Sequence, residues 1–316
     1  AFNKFKAVVA TKDDEFRSTI YNFGEEEGEC WALCRWLRAR KFDVNEVVKM
    51  VGEATEVRAV AKKENFYPDP KAALGCDSAL YFAQFPQLYT GFAKNGAPLF
   101  ISKPGVLNVD AVECITTLDG ILKFHWFIMM HDFGDRLRAQ KKENDKFKRF
   151  ECVIVLDLAH LTTAQLGNRA LAIIKEQAKI DSLCFPETMS KMVIVNAPVF
   201  FSASWRIIKG WLDPRTSGKI DVISGRSHWE KKIKEYVDVD QIPVDYGGTG
   251  PNTVETIDST SPGDMKRLRT VVLACRSHTS TMFDIEEGEQ CEIAVWTRSV
   301  SGAKFTVVDQ NKKTAP

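Results

Sequence analysis

The stretch from Phe185 to Ile223 constrains this chain more than any other. Pro186-Glu187 reads as a turn. Met192-Val193-Ile194-Val195, closed by Asn196-Ala197-Pro198, is a short apolar run bounded by turn residues, the pattern of a buried strand. Phe200 to Leu212 then follows helical spacing. Phe201, Trp205, Ile208 and Leu212 fall on one side, with Phe200, Ile207 and Trp211 beside them. Only Ser202, Arg206 and Lys209 remain as a narrow polar face, so the apolar sector exceeds the roughly 100° stripe of a surface helix. Asp213-Pro214 stops the helix, and Lys219 to Ile223 reads as another short strand. A strand, a very apolar helix and a strand leave two readings. The helix is a core crossover of an α/β fold, or it faces a lipid pocket or a membrane.

With 316 residues the chain can bury a real core and has room for two or three domains. Lys plus Arg number 43 and Asp plus Glu 42, so overall charge does not point to nucleic acid. Local basic clusters remain available to an acidic membrane. The 8 cysteines form no C-x-x-C pair, and several lie in apolar runs. Cys30 and Cys34 share a helix face, which reads as core rather than metal. This is the usage of a reduced, cytoplasmic protein. No apolar run approaches the roughly 18 residues of a membrane span. The first residues lack a signal-peptide core. Any membrane contact is therefore expected to be peripheral.

Residues 1–65 read as a helical subdomain. Asp13-Asp14-Glu15 suits a helix start, and Asp43 suits an N-cap. Between them Trp31, Cys34 and Leu37 to Ala39 form an apolar face. Arg35, Arg38, Arg40 and Lys41 form a basic set, read as a solvated face or as a ligand contact. Tyr67-Pro68-Asp69-Pro70 marks a boundary, and residues 66–250 form the next unit. There a strand at Pro98 to Ile101 follows the turn Lys94-Asn95-Gly96. A long helix is expected from Asp110 to Lys142, a strand from Cys152 to Leu158, and a helix from Thr163 to Leu183. After the central stretch comes a helix from Ser227 to Val237. Alternating strands and helices predict an α/β fold with a mixed or parallel sheet. Residues 251–264 are polar and rich in turn formers, so they read as a linker. Residues 265–316 read as a small β module with too few strands to stand alone.

Catalytic motifs are absent. There is no G-x-S-x-G elbow, Walker loop, H-E-x-x-H or G-x-G-x-x-G after a strand. Asp132-Phe133-Gly134 lacks the companion motifs of a kinase. Gly247 to Gly250 reads as a closing turn rather than a phosphate cradle. Asp157 and His160 are the nearest approach to an acid–base pair, and a loop contact explains them better. His125, His131, His228 and His278 have no metal spacing. The chain is expected to be no enzyme and to need no metal or cofactor.

Four motifs carry a resemblance. Trp36-Leu37-Arg38-Ala39-Arg40-Lys41-Phe42-Asp43 is one. Phe185-Pro186-Glu187 with Ile194-Val195-Asn196-Ala197-Pro198 is the second. Trp211-Leu212-Asp213-Pro214 through Thr216 to Lys219-Ile220 is the third, and Val244-Asp245-Tyr246-Gly247-Gly248 closes the set. In this order and spacing they resemble the CRAL-TRIO lipid-binding family, over roughly residues 30 to 250. The C-terminal module resembles a short GOLD domain, as in supernatant protein factor and the tocopherol-associated proteins. The resemblance implies a carrier with an apolar cavity floored by the sheet. Phe200, Phe201, Trp205, Ile207, Ile208, Trp211 and Leu212 then fall in the gate helix. It also implies a phosphoinositol headgroup site at Arg40, Glu187, Thr216 and Lys219, although Glu187 and Lys219 could equally pair with each other.

Where related carriers hold phosphatidylcholine with hydroxyl side chains, this chain has Tyr89, Phe100, Met129, Cys152 and Ile154. That set favours an apolar second ligand, such as a tocopherol-, squalene- or retinal-like molecule. The partners so implied are a phospholipid or hydrophobic small molecule and, transiently, a membrane surface. A protein partner reached through the β module would make the chain a lipid-regulated scaffold instead.

Overall fold

The computed structural model of the chain describes residues 1–250, together with residue 268, residues 278–280, residue 282 and residues 304–308. The linker at 251–264 and most of the β module at 265–316 lie outside the described residues. The N-terminal part is helical: α1 (Phe2–Ala10), α2 (Asp14–Ile20), α3 (Glu29–Ala39) and α4 (Val44–Lys63). Side-chain caps fix two of the starts. Asp13 accepts from the Phe16 amide, and Asp43 accepts from the amides of Asn45 and Glu46. Next come α5 (Pro70–Leu74), α6 (Ser78–Gln84), β1 (Gln87–Phe92), β2 (Pro98–Ser102), α7 (Val109–Ile115), α8 (Leu118–Phe127) and α9 (Gly134–Glu143). Then follow β3 (Cys152–Asp157), α10 (Asn168–Cys184), β4 (Met189–Val195), α11 (Phe201–Lys209), α12 (Pro214–Ser217), β5 (Ile220–Ile223) and α13 (Arg226–Tyr236).

Two expectations change, and one strand is added. Strand β1 escapes the sequence pattern because Gly91, at φ 59°, sits in a register shift between Tyr89 and Phe92 and breaks the alternation. The expected helix from Asp110 to Lys142 is divided. Thr116 donates its hydroxyl to Leu74 O at 2.6 Å, Thr117 caps α8, and a π-helical turn at Ile128–Phe133 joins α8 to α9. The apolar helix at Phe200 to Leu212 shortens to α11, leaving Trp211 and Leu212 outside it. Gly210 weakens the helix, and Asp213 caps α12 instead by accepting from the Arg215 amide at 2.8 Å.

The 5 strands lie in the order β1-β2-β3-β4-β5. The pair β1–β2 is antiparallel and the rest are parallel, so the sheet is mixed, in agreement with the alternating pattern. Strand periodicity sends alternate residues to opposite faces. Leu99, Ile101, Val153, Val155, Val193 and Val195 are all buried, in one cluster with Trp229 and Ile233 of α13. Phe5, Ile20, Trp36 and Leu37 of the N-terminal helices belong to that same cluster. The other face differs. Tyr89, Phe100, Ile154, Met192 and Ile220 are register partners in one row across every strand, and each is only half buried.

Asp157, at the carboxyl end of β3, is a structural hub and not half of a catalytic pair. It accepts from Tyr246 Oη at 2.9 Å, Asn196 Nδ2 at 2.8 Å and the Ala159 amide at 2.9 Å. Asn196 Oδ1 in turn accepts from Trp229 Nε1 at 3.1 Å. His160 is exposed in the left-handed region at φ 67°. The glycines after Tyr246 complete the closure. Gly247 has φ 79°, and a Cβ on Gly248 would stand 2.0 Å from Ile242 O. Only glycine fits either position.

Two side chains of α3 correct the sequence reading. Arg35 does not belong to a solvated basic face. It is 1% exposed and grips the equally buried Glu27 with two bonds, Nε to Oε1 at 2.7 Å and Nη2 to Oε2 at 3.1 Å. Nη2 also donates to Asn22 Oδ1 at 2.8 Å. Cys30 is exposed rather than core.

Burial, then the neighbouring Asp157, holds the Tyr246 proton well above the phenol range, and burial pushes Cys152 and Cys184 up to about 12. The native state thus keeps protons that an unfolded chain gives up, the thiols from about pH 8.5 and the phenol near 10. Stability is fully present below pH 8.5 and falls as pH rises through that window. Denaturant midpoints measured from pH 7.5 to 10 will decline; a flat series contradicts this. Tyr246→Phe will cost about 1–3 kcal/mol at pH 7.5, because the Asp157 carboxylate loses a buried donor.

Candidate functional site

The half-buried row is roofed at both ends. At the β1 end, the Tyr89 and Phe100 rings lie 4.7 Å apart, and Phe133 stacks on Tyr89 at 6.4 Å. At the β5 end, α11 is the crossover between β4 and β5 and lies on this face. Phe201, Trp205 and Ile208 share an apolar cluster with Leu156, Met192, Ile194 and Ile220. These three are spaced i, i+4 and i+7, one stripe of the helix. The rest of the apolar sector points outward. Val199 is 93% exposed, Ile207 50% and Phe200 41%, with Arg206 and Lys209 exposed beside them. Trp211 and Leu212 are half buried in the turn that follows. The wide apolar helix therefore has two apolar sides, one on the sheet and one on solvent. A cleft of about 330 Å³ opens where α11 leaves β4, lined by Ala197, Pro198, Phe201, Trp205 and Val222.

Cys152 and Ile154 lie two residues apart on β3 and so share the face of Tyr89 and Phe100. Met129, in the π-helical turn, is buried in the adjoining cluster. The surroundings are dry. Burial, then the Cys152 thiol, raises the Tyr89 phenol well above its ordinary range. Arg136 lies over the Tyr89 ring at 4.5 Å. Sequence reasoning set His125 aside for want of metal spacing. In the fold its Nε2 lies 2.7 Å from Asp181 Oδ1 and ties α8 to α10. Nothing in the local sequence signals a pair 56 residues apart.

A second group of residues sits at the amino ends of β3, β4 and β5. Lys219 Nζ donates to Glu187 Oε2 at 3.0 Å and to Met189 O at 2.9 Å. Arg38 Nε stands 3.7 Å from the same Glu187 oxygen, and Arg215 donates to Arg38 O. Thr216 O accepts from the Lys219 amide at 3.0 Å, which locks the two residues into one turn. The Arg40 guanidinium donates to Ala39 O at 3.1 Å, at the end of α3. Glu187 itself has φ 60°. A non-glycine residue held there stores on the order of 1–3 kcal/mol of strain, a pattern that clusters at functional sites.

Two further members of this group, Arg149 and Glu151, were not singled out from the sequence, and Arg38 was named only within the basic set of α3. Burial, and then Arg149, lowers the Arg38 guanidinium, while Glu187 and Glu151 oppose that shift. Burial raises the Glu151 carboxyl against the pull of Arg149, Arg38 and Lys219. The only sequence signal for Arg149 and Glu151 is a charged run placed just before a strand. Among the described residues no group of His, Cys, Asp or Glu is placed to hold a metal, and no helix is long and apolar enough to cross a membrane.

Comparison with known proteins identifies the family. The family model of the CRAL/TRIO domain matches residues 83–248. The chain is 30% identical over 216 residues to a SEC14 cytosolic factor of Eremothecium gossypii, covering 68% of each chain. It is 29% identical over 244 residues to the CRAL-TRIO domain-containing protein YKL091C of Saccharomyces cerevisiae, covering 74% of this chain and 76% of that one. A phosphatidylinositol/phosphatidylcholine transfer protein of Arabidopsis thaliana, SFH12, is 28% identical over 233 residues, which span 71% of this chain but 40% of the longer relative. Among solved structures, the crystal structure of Sfh5 superposes with a TM-score of 0.52 at 14% identity, covering 83% of this chain and 82% of that one, and so shares its fold. With the domain spanning more than half of the chain and a relative at 30% identity over two thirds of both, this chain belongs to the CRAL/TRIO family.

Proposed function

We propose that the chain is a carrier that holds a lipid between the half-buried sheet face and α11 and exchanges it at a membrane surface. One observation carries this reading. An apolar row crosses the whole sheet, roofed by a helix, with an ion cluster at the strand ends beside it. A lipid has the same anatomy, with apolar chains and a charged head. The transfer function named for the Arabidopsis relative supports it.

In this reading Lys219, Arg38 and Arg40 neutralise a phosphate. The Thr216 hydroxyl donates to a phosphate oxygen, and Glu187 accepts from an inositol hydroxyl. The bond between Lys219 and Glu187 is the resting partner of that site. A headgroup would exchange one charge-assisted bond for others, so neither charge is left bare. Phe100, Met129, Cys152 and Ile154 offer no hydroxyl to a choline phosphate, which favours an apolar second ligand, tocopherol-, squalene- or retinal-like. Catalysis has no place in this reading, since Asp157, the carboxylate of the one acid–base pair the sequence offered, is consumed by structural donors.

The energetics suit a closed carrier. One C16 chain exposed to water costs on the order of 10 kcal/mol, at about 0.8 kcal/mol per CH₂. Passing from bilayer to apolar pocket exchanges one oily medium for another and is nearly neutral. The exposed Val199, Phe200 and Ile207, flanked by Arg206 and Lys209, suit a shallow contact with an acidic bilayer. That contact would place the membrane against the outer side of the helix that must open.

Two outcomes follow for the purified protein mixed with vesicles. Lys219→Ala with Glu187→Ala will lower uptake of phosphatidylinositol roughly 10- to 100-fold, the scale of charge-assisted bonds at about 1.5–3 kcal/mol. Uptake of an apolar ligand such as tocopherol will be spared. Equal loss of both contradicts separate head and tail subsites, and no uptake of any lipid by the wild type overturns the carrier reading. Ile207→Asp will leave thermal stability within about 0.5 kcal/mol, because the site is exposed. It will still slow exchange with anionic vesicles roughly tenfold, equivalent to about 1.4 kcal/mol of lost contact.

A further inference from the structure

Away from the sheet face, two carboxamides are arranged to read a peptide backbone. Gln84, the last residue of α6, is fully buried, and its Nε2 donates to Leu80 O at 3.3 Å. That fixes Oε1 as an acceptor pointing out of the helix end. Asn108 is fixed twice. Its amide donates to Gln84 O at 2.9 Å, and its Oδ1 caps α7 by accepting from the Ala111 amide at 3.3 Å. Its Nδ2 is then left as a directed donor. Between the two side chains sits one residue, Leu268. The Leu268 amide donates to Gln84 Oε1 at 3.0 Å, and Leu268 O accepts from Asn108 Nδ2 at 2.9 Å. The two carboxamides also bond each other, Asn108 Nδ2 to Gln84 Oε1 at 3.1 Å. Turning either one over would set donor against donor or acceptor against acceptor. The Leu268 side chain packs on the apolar cluster of α5 to α8, as do half-buried Phe82, Phe85 and Leu107.

Gripping both the N–H and the C=O of one residue is how a sheet edge takes an added strand. Here two side chains do it, with an apolar surface to select the residue. We propose that Gln84 and Asn108 form a main-chain docking site whose occupant is this chain's own Leu268, held against α6 and α7. Strength argues for an occupant in cis. Among the described residues the grip on Leu268 is two neutral hydrogen bonds and one apolar side chain, which by themselves would hold a free peptide only with a dissociation constant on the order of 1 mM. An occupant in the same chain is covalently linked to the site, and a covalent link supplies local concentrations of that order. The site is therefore filled by its own chain, yet held weakly enough for Leu268 to be released. This inference does not rest on the carrier reading.

Hydrogen exchange of the full chain, read by mass spectrometry on peptides containing residue 268, tests it. Asn108→Asp keeps the cap on α7 but removes the donor and sets a carboxylate against Gln84 Oε1 and Leu268 O. Leu268→Asp removes the apolar contact and leaves residues 1–250 untouched. In both variants the amide at position 268 will exchange at least tenfold faster than in the wild type, while peptides covering Val153 to Val155 keep their protection. Equal rates at position 268 in the wild type and both variants overturn the docking site. If Asn108→Asp alone unfolds the chain, seen as lost protection at Val153 to Val155, the Leu268→Asp comparison decides.

Discussion

The buried carboxylate of Asp157 is the interaction on which the site's geometry depends. Four segments meet there: the end of β3, the turn after β4, α13 through Trp229, and the closing turn at Tyr246. A charge in that position is tolerable only because it is saturated by donors. Because it is saturated, Asn196 is held in the left-handed conformation, at φ 54°, from which the chain leaves β4 toward α11. The course of the helix over the sheet is thus set by a polar network at one strand end.

The opposite ends of the strands are fixed by a different means. Arg35, locked to Glu27 and Asn22, also reaches Pro186 O at 3.5 Å, and Asn22 donates to Cys184 O at 3.2 Å. The N-terminal helices are therefore fastened directly to the turn that carries Glu187. Removing one partner of such a buried pair typically costs about 3–5 kcal/mol. This explains how Glu187 can be kept at positive φ. The strain is borne by a neighbourhood that is otherwise over-determined, and the carboxylate is aimed at Lys219.

The sheet connects the two ends. Its buried face joins the N-terminal helices and α13 in one core, which makes the platform rigid. Its other face presents a row of apolar side chains that neither α11 nor the π-helical turn covers completely. An apolar surface left half covered is costly in water, and in a carrier that cost is what favours taking up a lipid.

Much of this was legible in the sequence, and the limits are physical. The alternation of strands and helices, the caps at Asp13 and Asp43, and the apolar helix after β4 are local properties, written in periodicity and turn chemistry. The order and spacing of the motifs around Glu187, Asn196, Asp213 and Tyr246 pointed to the family. Three things were not legible, because each depends on residues far apart in the chain. Arg35 looked like part of a solvated basic face until Glu27 and Asn22 folded over it. The helix from Asp110 to Lys142 looked continuous until the Leu74 carbonyl drew Thr116 out of it. The apolar sector around α11 read as one wide surface, and only the packed sheet divided it into an inner side, Phe201, Trp205 and Ile208, and an outer side, Phe200 and Ile207. Sequence alone determined which residues are apolar and at what period. Tertiary structure decided what each apolar side faces, because burial is a property of the assembled surfaces and not of the helix that carries them.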